Sequence, residues 1–168
     1  DNDTATFTIG NVTVNEEDGS LTFNVGVSNP IDIPVTIDVS YAGGAATVSG
    51  ADYDPAGDTA NFSALSTTAQ WVTVAINHDN IVEALETFLA SLSTTTALGG
   101  RTLDLQDTAT GSITDNDTAT FTIEDETVNE FDGTLTFTIV SSNPIDIPVT
   151  LDVAYGDAGD SAAGGNID

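Results

Sequence analysis

The chain has 168 residues and carries 27 aspartates and glutamates against one basic residue, Arg101, which gives a formal net charge of -26. Such a chain cannot replace the counterions of a nucleic acid or be drawn to an anionic lipid surface, so both partners are excluded. There is no cysteine, so disulfides cannot stabilise the fold. Clustered carboxylates instead indicate divalent cations as partners.

Apolar and polar residues alternate along most of the first 114 positions, which is the period of a half-buried strand. Turn-forming pairs such as Asp18-Gly19 and Asn29-Pro30 separate these stretches. The inward rows, in chain order, are Ala5, Phe7 and Ile9; Leu21, Phe23, Val25 and Val27; Val35, Ile37, Val39 and Tyr41; Val72, Val74 and Ile76; and Ala109 and Ile113. About seven short strands predict an all-β, immunoglobulin-like Greek-key β-sandwich.

Residues 82–92 fit two kinds of secondary structure. The residues on one face of a helix would be Val82, Leu85, Leu89 and Leu92. The residues on one face of a strand would be Phe88, Ala90 and Leu92. The regular spacing of the neighbouring strands favours a strand, preceded by a single helical turn.

An internal repeat organises the chain. The nine residues 1–9 recur unchanged at 115–123, an offset of 114 positions. The same offset aligns two further pairs of segments, 13–23 with 127–137 and 28–39 with 142–153. We therefore predict a tandem repeat with one complete copy at 1–114 (hereafter the first copy), in which 1–3 are the end of a preceding copy. The N-terminal half of a near-identical copy follows at 115–168 (the second copy). Whether its own following residues or a neighbouring molecule completes it stays open.

Acidic residues gather at the predicted strand ends. The acids in these positions are Glu16, Glu17 and Asp18; Asp52 and Asp54; Asp79, Glu83 and Glu86; and Asp115 and Asp117. Alternate loops of a Greek-key sandwich share one end, so these groups can converge there, and carboxylates suit Ca²⁺. Each acid alone could merely cap a turn or keep the surface soluble, but the grouping favours a cation site.

Four segments, in this order, resemble the Calx-beta domain of sodium–calcium exchangers, integrin subunits and large bacterial surface proteins. They are VNEEDG at 14–19, ADY at 51–53, HDNIVEALETF at 78–88 and ITDND at 113–117. The resemblance implies an immunoglobulin-like sandwich with Ca²⁺ bound at one end. It also implies the ligands Glu16, Asp52, Asp79, Glu83, Glu86, Asp115 and Asp117, and in the second copy Glu130 and Asp168.

The sequence departs from the exchanger-type pattern at three positions. His78, Asn80 and Asn116 stand where that pattern has acids, which implies fewer or weaker ions. Imidazole suits softer metals than Ca²⁺, so His78 is interpreted as a loop residue and not as a ligand.

Catalysis is not predicted. The chain has no cysteine, no lysine and one histidine, which removes most nucleophilic and Schiff-base chemistry. No nucleophile motif surrounds His78, and there is no phosphate-binding glycine loop.

The resulting prediction is a Ca²⁺-binding structural repeat of a long bacterial cell-surface or secreted adhesin or fibre, in which Ca²⁺ stiffens the module ends and joints. Its predicted partners are neighbouring copies in the same chain, other copies in a fibre and an unidentified surface ligand, without membrane insertion. Two alternatives stay open: a Ca²⁺-sensing regulatory domain of a transporter, and an accessory module of a secreted hydrolase.

Overall fold

The computed structural model describes residues 3–43 and 52–156. Within these ranges, nine strands of the first copy form two sheets packed face to face. The strands are β1 (Thr4–Ile9), β2 (Val12–Asn15), β3 (Ser20–Val27), β4 (Val35–Ala42), β5 (Asp58–Phe62), β6 (Gln70–Ala75), β7 (Glu86–Ser93), β8 (Thr102–Asp104) and β9 (Thr108–Thr114). One short 3₁₀ helix, Glu16–Asp18, joins β2 to β3.

One sheet has the order β6-β3-β1-β8 and the other β2-β9-β7-β4-β5. The N-terminal segment contributes to both sheets, because β1 pairs in parallel with β8 and β2 pairs in parallel with β9. The remaining pairs in the two sheets are antiparallel. The predicted all-β, immunoglobulin-like sandwich is confirmed.

The strand count exceeds the predicted seven for a physical reason. The first strand divides at Gly10, where the chain passes from one sheet to the other, and β8 adds only three residues at a sheet edge. Strand β5 has the alternating pattern of a half-buried strand, because Ala60 and Phe62 are buried and their neighbours are more exposed.

The ambiguous segment is a strand, β7, so that part of the prediction is confirmed. The helical turn predicted before it is wrong, because residues 81–85 are not helical. Their backbone N–H groups bond elsewhere: Ile81 donates to Asp79 Oδ1 at 2.6 Å and Glu83 to Asp115 Oδ2 at 2.6 Å. A helical turn would instead need the Val82 carbonyl to accept from the Glu86 N–H, but that carbonyl accepts from the Asp146 N–H and Glu86 already belongs to β7.

The core directly beneath one end of the sandwich is aromatic. Phe88 is fully buried and stacks on Tyr53 with a centroid distance of 4.2 Å, while Phe23 and Tyr41 approach it edge-on at 6.1 and 5.8 Å. Gly111 on β9 makes room for the ring, since a Cβ there would lie 2.5 Å from it. Tyr53 is the residue after Asp52, and Phe88 lies two residues after Glu86. The stacking of these two rings therefore helps to position two of the predicted ligands.

The second copy begins with the same local structure as the first. Strands β10 (Phe121–Ile123) and β11 (Ile139–Ser141) pair antiparallel, and a second 3₁₀ helix, Glu130–Asp132, has the same capping pattern as the first. Most of its large apolar side chains are exposed among the described residues: Phe121 is 38% exposed, whereas the equivalent Phe7 is 0% exposed. Among the described residues, no helix is long and apolar enough to cross a membrane.

Candidate metal centre

The first 3₁₀ helix turns one glutamate inward. Asn15 Oδ1 accepts from the Glu17 N–H at 3.0 Å, and Asp18 Oδ2 accepts from the Asn15 N–H at 3.0 Å, which forms a capping box. Gly19 ends the helix at φ 68°, a left-handed conformation that glycine adopts without strain. This turn leaves Glu16 only 4% exposed at the end of the sandwich.

Strand pairing positions the second acid. Tyr53 forms a bridge with Ile76, and the Asn77 N–H donates to the Asp52 carbonyl at 3.0 Å. Asp52, which is 7% exposed, is therefore held against the segment that leaves β6. That segment continues into the loop carrying Asp79 and Glu83.

Asp115 connects the end of β9 to this loop. Its Oδ2 accepts from the Glu83 N–H and its Oδ1 from the Asp117 N–H, both at 2.6 Å. The carboxylate of Asp115 thus fixes the backbone on both sides of it. Asp117 is turned towards Glu16 by this arrangement.

The structure brings the seven predicted ligands of the first copy to one end of the sandwich, and we call them the acidic cluster. Six of these side chains, together with the neighbouring His78, form three groups in which the possible ligand atoms lie within 4.8 Å of one another. The groups are Glu16 with His78 and Asp117, Glu16 with Asp79 and Glu83, and Asp52 with Glu83 and Glu86. Asp115 adjoins them, because its carboxyl raises the pKa of Glu16 and its oxygens accept from the N–H groups of Glu83 and Asp117. A cavity of about 200 Å³ opens between these acids.

Not every predicted ligand belongs to the cluster. Glu130 is exposed in the second copy and belongs to none of the groups found among the described residues, while Asp168 lies outside those residues. Glu86, predicted to lie at a strand end, is the first residue of β7. Asn77, which also lines the cavity, was missed, and its only sequence signal was its place beside His78.

The pKa values in the acidic cluster reflect the burial and crowding of its carboxyl groups. Burial, and then the Asp115 carboxyl, raises the pKa of Glu16 to about 7, and burial, and then the Asp52 charge, raises that of Glu86 to about 7. Burial acts to raise the pKa of Asp115 as well, but backbone N–H donors reverse the shift and lower it. The single basic residue, Arg101, pairs with Asp32 in loops at the other end of the sandwich.

Two carboxylate oxygens show that a cation would fit the acidic cluster. Glu16 Oε1 and Asp117 Oδ2 are buried and have no hydrogen-bond partner in the part of the chain that the structure describes. A buried carboxylate oxygen without a partner is costly, and a cation would satisfy it. A set of hard oxygen donors around a small cavity fits Ca²⁺, which takes six to eight oxygens.

The metal-free protein is expected to gain stability on acidification from about pH 8 to about pH 5. Glu16 and Glu86 titrate near 7 in the folded protein but near their ordinary value of 4.5 when unfolded, so the folded state binds more protons between these values. Stability therefore falls as pH rises through this window. Calorimetry in metal-depleted buffer should show a melting temperature higher by on the order of 5 °C at the lower pH.

A matched pair of variants separates this effect from general charge repulsion. In Glu16→Gln, part of the rise in melting temperature on acidification should be lost. Glu17→Gln, which removes the same charge from an exposed neighbour, should keep the full rise. A melting temperature that stays flat or falls on acidification would contradict the raised pKa values.

Known proteins resemble this chain in sequence and in fold. The Calx-beta domain family model matches residues 1–126 and, in a second match, residues 113–166. A search of the curated proteins found no match.

Several solved structures have a fold similar to that of this chain. The apo form of the Calx CBD1 domain is similar with a TM-score of 0.58 and 22% identity, over 67% of this chain and 98% of that one. The calcium binding domain CBD12 of CALX1.1 gives 0.57 and 22%, over 69% of this chain and 49% of that one. The Calx CBD2 domain has a TM-score of 0.51 and 14% identity, over 67% of this chain and 86% of that one. This chain thus spans about half of the CBD12 chain, and at these identities the likeness establishes the fold.

Proposed function

Because the chain belongs to the Calx-beta domain family, we propose that the acidic cluster binds Ca²⁺ and that the ion holds together the loops at this end of the sandwich. The observation that carries the proposal is the buried Glu16 Oε1, which has no partner among the described residues and lies among carboxylates. Acids from four separate segments meet there, so one ion would tie all four together.

Ca²⁺ is favoured over Mg²⁺ by the donor set. Mg²⁺ requires near-ideal octahedral geometry and retains several waters, whereas Ca²⁺ accepts many carboxylates in flexible arrangements. The overlapping groups around Glu16 and Glu83 supply more carboxylates than one Mg²⁺ ion uses. The calcium binding domain CBD12 of CALX1.1, a structural relative, is named for the same ion.

We further propose a structural role, in which tandem copies form a Ca²⁺-stiffened spacer or fibre of a cell-surface or secreted adhesin. Near-identity of the two copies supports this role, because a spacer needs length and no division of labour between its modules. An extracellular location suits modules of weak affinity, since Ca²⁺ sites of 10⁻⁴–10⁻³ M are typical of extracellular modules. Neighbouring copies are the proposed partners.

A regulatory role is the second candidate, supported by the likeness to the CBD1 and CBD12 structures. In that role the ion would change the arrangement of two copies within a transporter. Small-angle scattering of a chain with two complete copies distinguishes the roles. A spacer should stay extended with and without Ca²⁺, and the ion should only reduce its flexibility. A sensor should change its maximum dimension when Ca²⁺ binds.

Titration calorimetry of the 168-residue chain tests Ca²⁺ binding directly. Glu16→Gln should weaken Ca²⁺ binding by roughly 100-fold, because it removes a buried charged ligand. Glu17→Gln is the matched control, since Glu17 is adjacent, exposed and outside the three groups, and its affinity should stay within about twofold of the original.

The proposal fails if the unaltered chain takes up no Ca²⁺, or if both variants bind it equally well. Equal heats with Ca²⁺ and Mg²⁺ would indicate nonspecific screening of the acidic chain.

A further inference from the structure

The only histidine of the chain lies at the cavity of the acidic cluster. A ring nitrogen of His78 and carboxylate oxygens of Glu16 and Asp117 all lie within 4.8 Å of one another, and we call these three residues the histidine group. The other two groups of possible ligands consist of carboxylates alone. The histidine group therefore differs from them in chemistry, because it combines a nitrogen with oxygens.

A backbone hydrogen bond holds two members of the histidine group on adjoining stretches of chain. The Ile76 N–H donates to the Gly19 carbonyl at 3.1 Å. Gly19 ends the 3₁₀ helix that carries Glu16, and His78 follows Ile76 by two residues. The fold itself thus brings the imidazole and the buried carboxylate to the same place.

Both carboxylates of the histidine group have an oxygen that no hydrogen bond satisfies. Glu16 is 4% exposed, and its Oε1 is buried without a partner in the part of the chain that the structure describes. Asp117 Oδ2 is in the same state, and among the described residues these are the two buried carboxylate oxygens without a partner. Burying such an oxygen unpaired is costly, and one cation between the two side chains would satisfy both oxygens.

The imidazole has one further acidic neighbour, which lies on the surface. His78 Nε2 is 4.0 Å from Glu17 Oε1, which is beyond hydrogen-bond distance, and the two side chains are 44% and 61% exposed. An exposed pair of this kind contributes little to stability. The His78 ring can therefore turn towards Glu16 and Asp117 at little cost.

The histidine group suits a transition cation better than it suits Ca²⁺. Ca²⁺ takes oxygen ligands, so at this point it would use two carboxylates and leave the imidazole unused. Zn²⁺ binds both imidazole nitrogen and carboxylate oxygen, and three protein ligands with one water complete its usual set of four. It holds these ligands about 2.0–2.2 Å away. Atoms that already lie within 4.8 Å of one another need only small side-chain rotations to reach it.

We propose that Glu16, His78 and Asp117 form a second cation site in the cluster, which takes a divalent transition cation such as Zn²⁺. This inference goes beyond the proposed function, because binding of Ca²⁺ by the other acids neither requires nor supplies it. Glu16 also belongs to a group of carboxylates with Asp79 and Glu83, so the two sites adjoin at this residue.

Titration calorimetry with Zn²⁺ alone tests the site in the 168-residue chain, purified without a histidine tag. His78→Asn should weaken Zn²⁺ binding by at least about tenfold, because losing a ligand costs no less than losing one of its supporting contacts. The same variant should keep its Ca²⁺ affinity within about twofold, since imidazole is not a Ca²⁺ ligand. Glu17→Gln is the matched control: it removes the exposed acid beside His78 and should leave the Zn²⁺ affinity within about twofold.

The outcomes separate this inference from the proposed function. If His78→Asn binds Zn²⁺ as tightly as the unaltered chain, or if that chain binds Ca²⁺ and no Zn²⁺, the inference is overturned while the proposed function stands. If Glu17→Gln loses as much Zn²⁺ affinity as His78→Asn, the ion lies on the surface between these two side chains, which also overturns the inference. Zn²⁺ binding that depends on His78, in a chain that binds no Ca²⁺, would uphold the inference and remove the proposed function.

Nuclear magnetic resonance of the imidazole gives a second measurement. Because the chain has one histidine, every imidazole signal in its spectrum belongs to His78. Stoichiometric Zn²⁺ should shift the signal of the ligating ring nitrogen, and Asp117→Asn should need more Zn²⁺ for the same shift. Ring-nitrogen signals that stay in place at saturating Zn²⁺ would overturn the inference.

Discussion

Free Ca²⁺ at about 1,000 times its dissociation constant is expected to stabilise the folded protein by about 4 kcal/mol, through linkage between binding and folding. The gain arises because the cluster exists only in the folded chain, where strands β2, β6, β7 and β9 bring its acids together. Without the ion, folding must bury Glu16 and crowd Glu86 against Asp52, which raises the pKa of both glutamates. With the ion bound, the same carboxylates would serve as its ligands, and their mutual repulsion would be offset.

Thermal melts followed by circular dichroism measure this effect, in Ca²⁺ and then with a chelator. Glu16→Gln should lose most of the Ca²⁺-dependent rise and Glu17→Gln should retain it. Mg²⁺ at the same concentration is the ionic control. A rise of equal size in Mg²⁺, or in added sodium chloride, would attribute the effect to screening of the net charge of -26 and not to a site.

Phe88→Ala is expected to lower the free energy of unfolding by about 4 kcal/mol, which is typical of removing a large buried ring. The ring is 1% exposed, stacks on Tyr53 and packs over Gly111, so its removal leaves a cavity that a β-sheet glycine cannot fill. Tyr53 adjoins Asp52, and the lost stacking should also loosen that ligand. We therefore expect weaker Ca²⁺ binding together with lower stability.

Urea denaturation of the ion-free protein provides the measurement. The adjacent Leu89→Ala is the control, because Leu89 points out of the same strand and is 43% exposed, and it should lower the free energy of unfolding by less than about 1 kcal/mol. Similar losses in the two variants would mean that Phe88 does not anchor this end of the core.

The sandwich could be predicted because its signal is local and repeated. Inward rows such as Phe23 and Val25 on β3, or Ile37 and Val39 on β4, alternate strictly and are buried. The cluster could also be predicted, since its acids stand at strand ends that the topology brings to one place. The ligand role of these acids stays a prediction until binding is measured.

Other features depend on contacts that no local pattern records. Residues 81–85 have a helical pattern of apolar residues, but the Val82 carbonyl, which a helical turn would use as an acceptor, accepts from the distant Asp146 N–H instead. The bridge from Val82 to Ile145 joins residues from two copies, and neither stretch carries a mark of it in the sequence. Long-range hydrogen bonding decided the structure at both places.

The position of Arg101 makes the two ends of the first copy different. Its guanidinium lies with Asp32 at one end of the sandwich, and the acidic cluster lies at the other, so the two ends differ in charge and in chemistry. Two acidic clusters facing each other would place more than ten carboxylates in one gap. A contact between the acidic cluster of one copy and the Arg101 end of the next gives less repulsion. A polymer of such copies would therefore be polar, with one end that differs from the other, and side-by-side strands of it could be told apart as parallel or antiparallel.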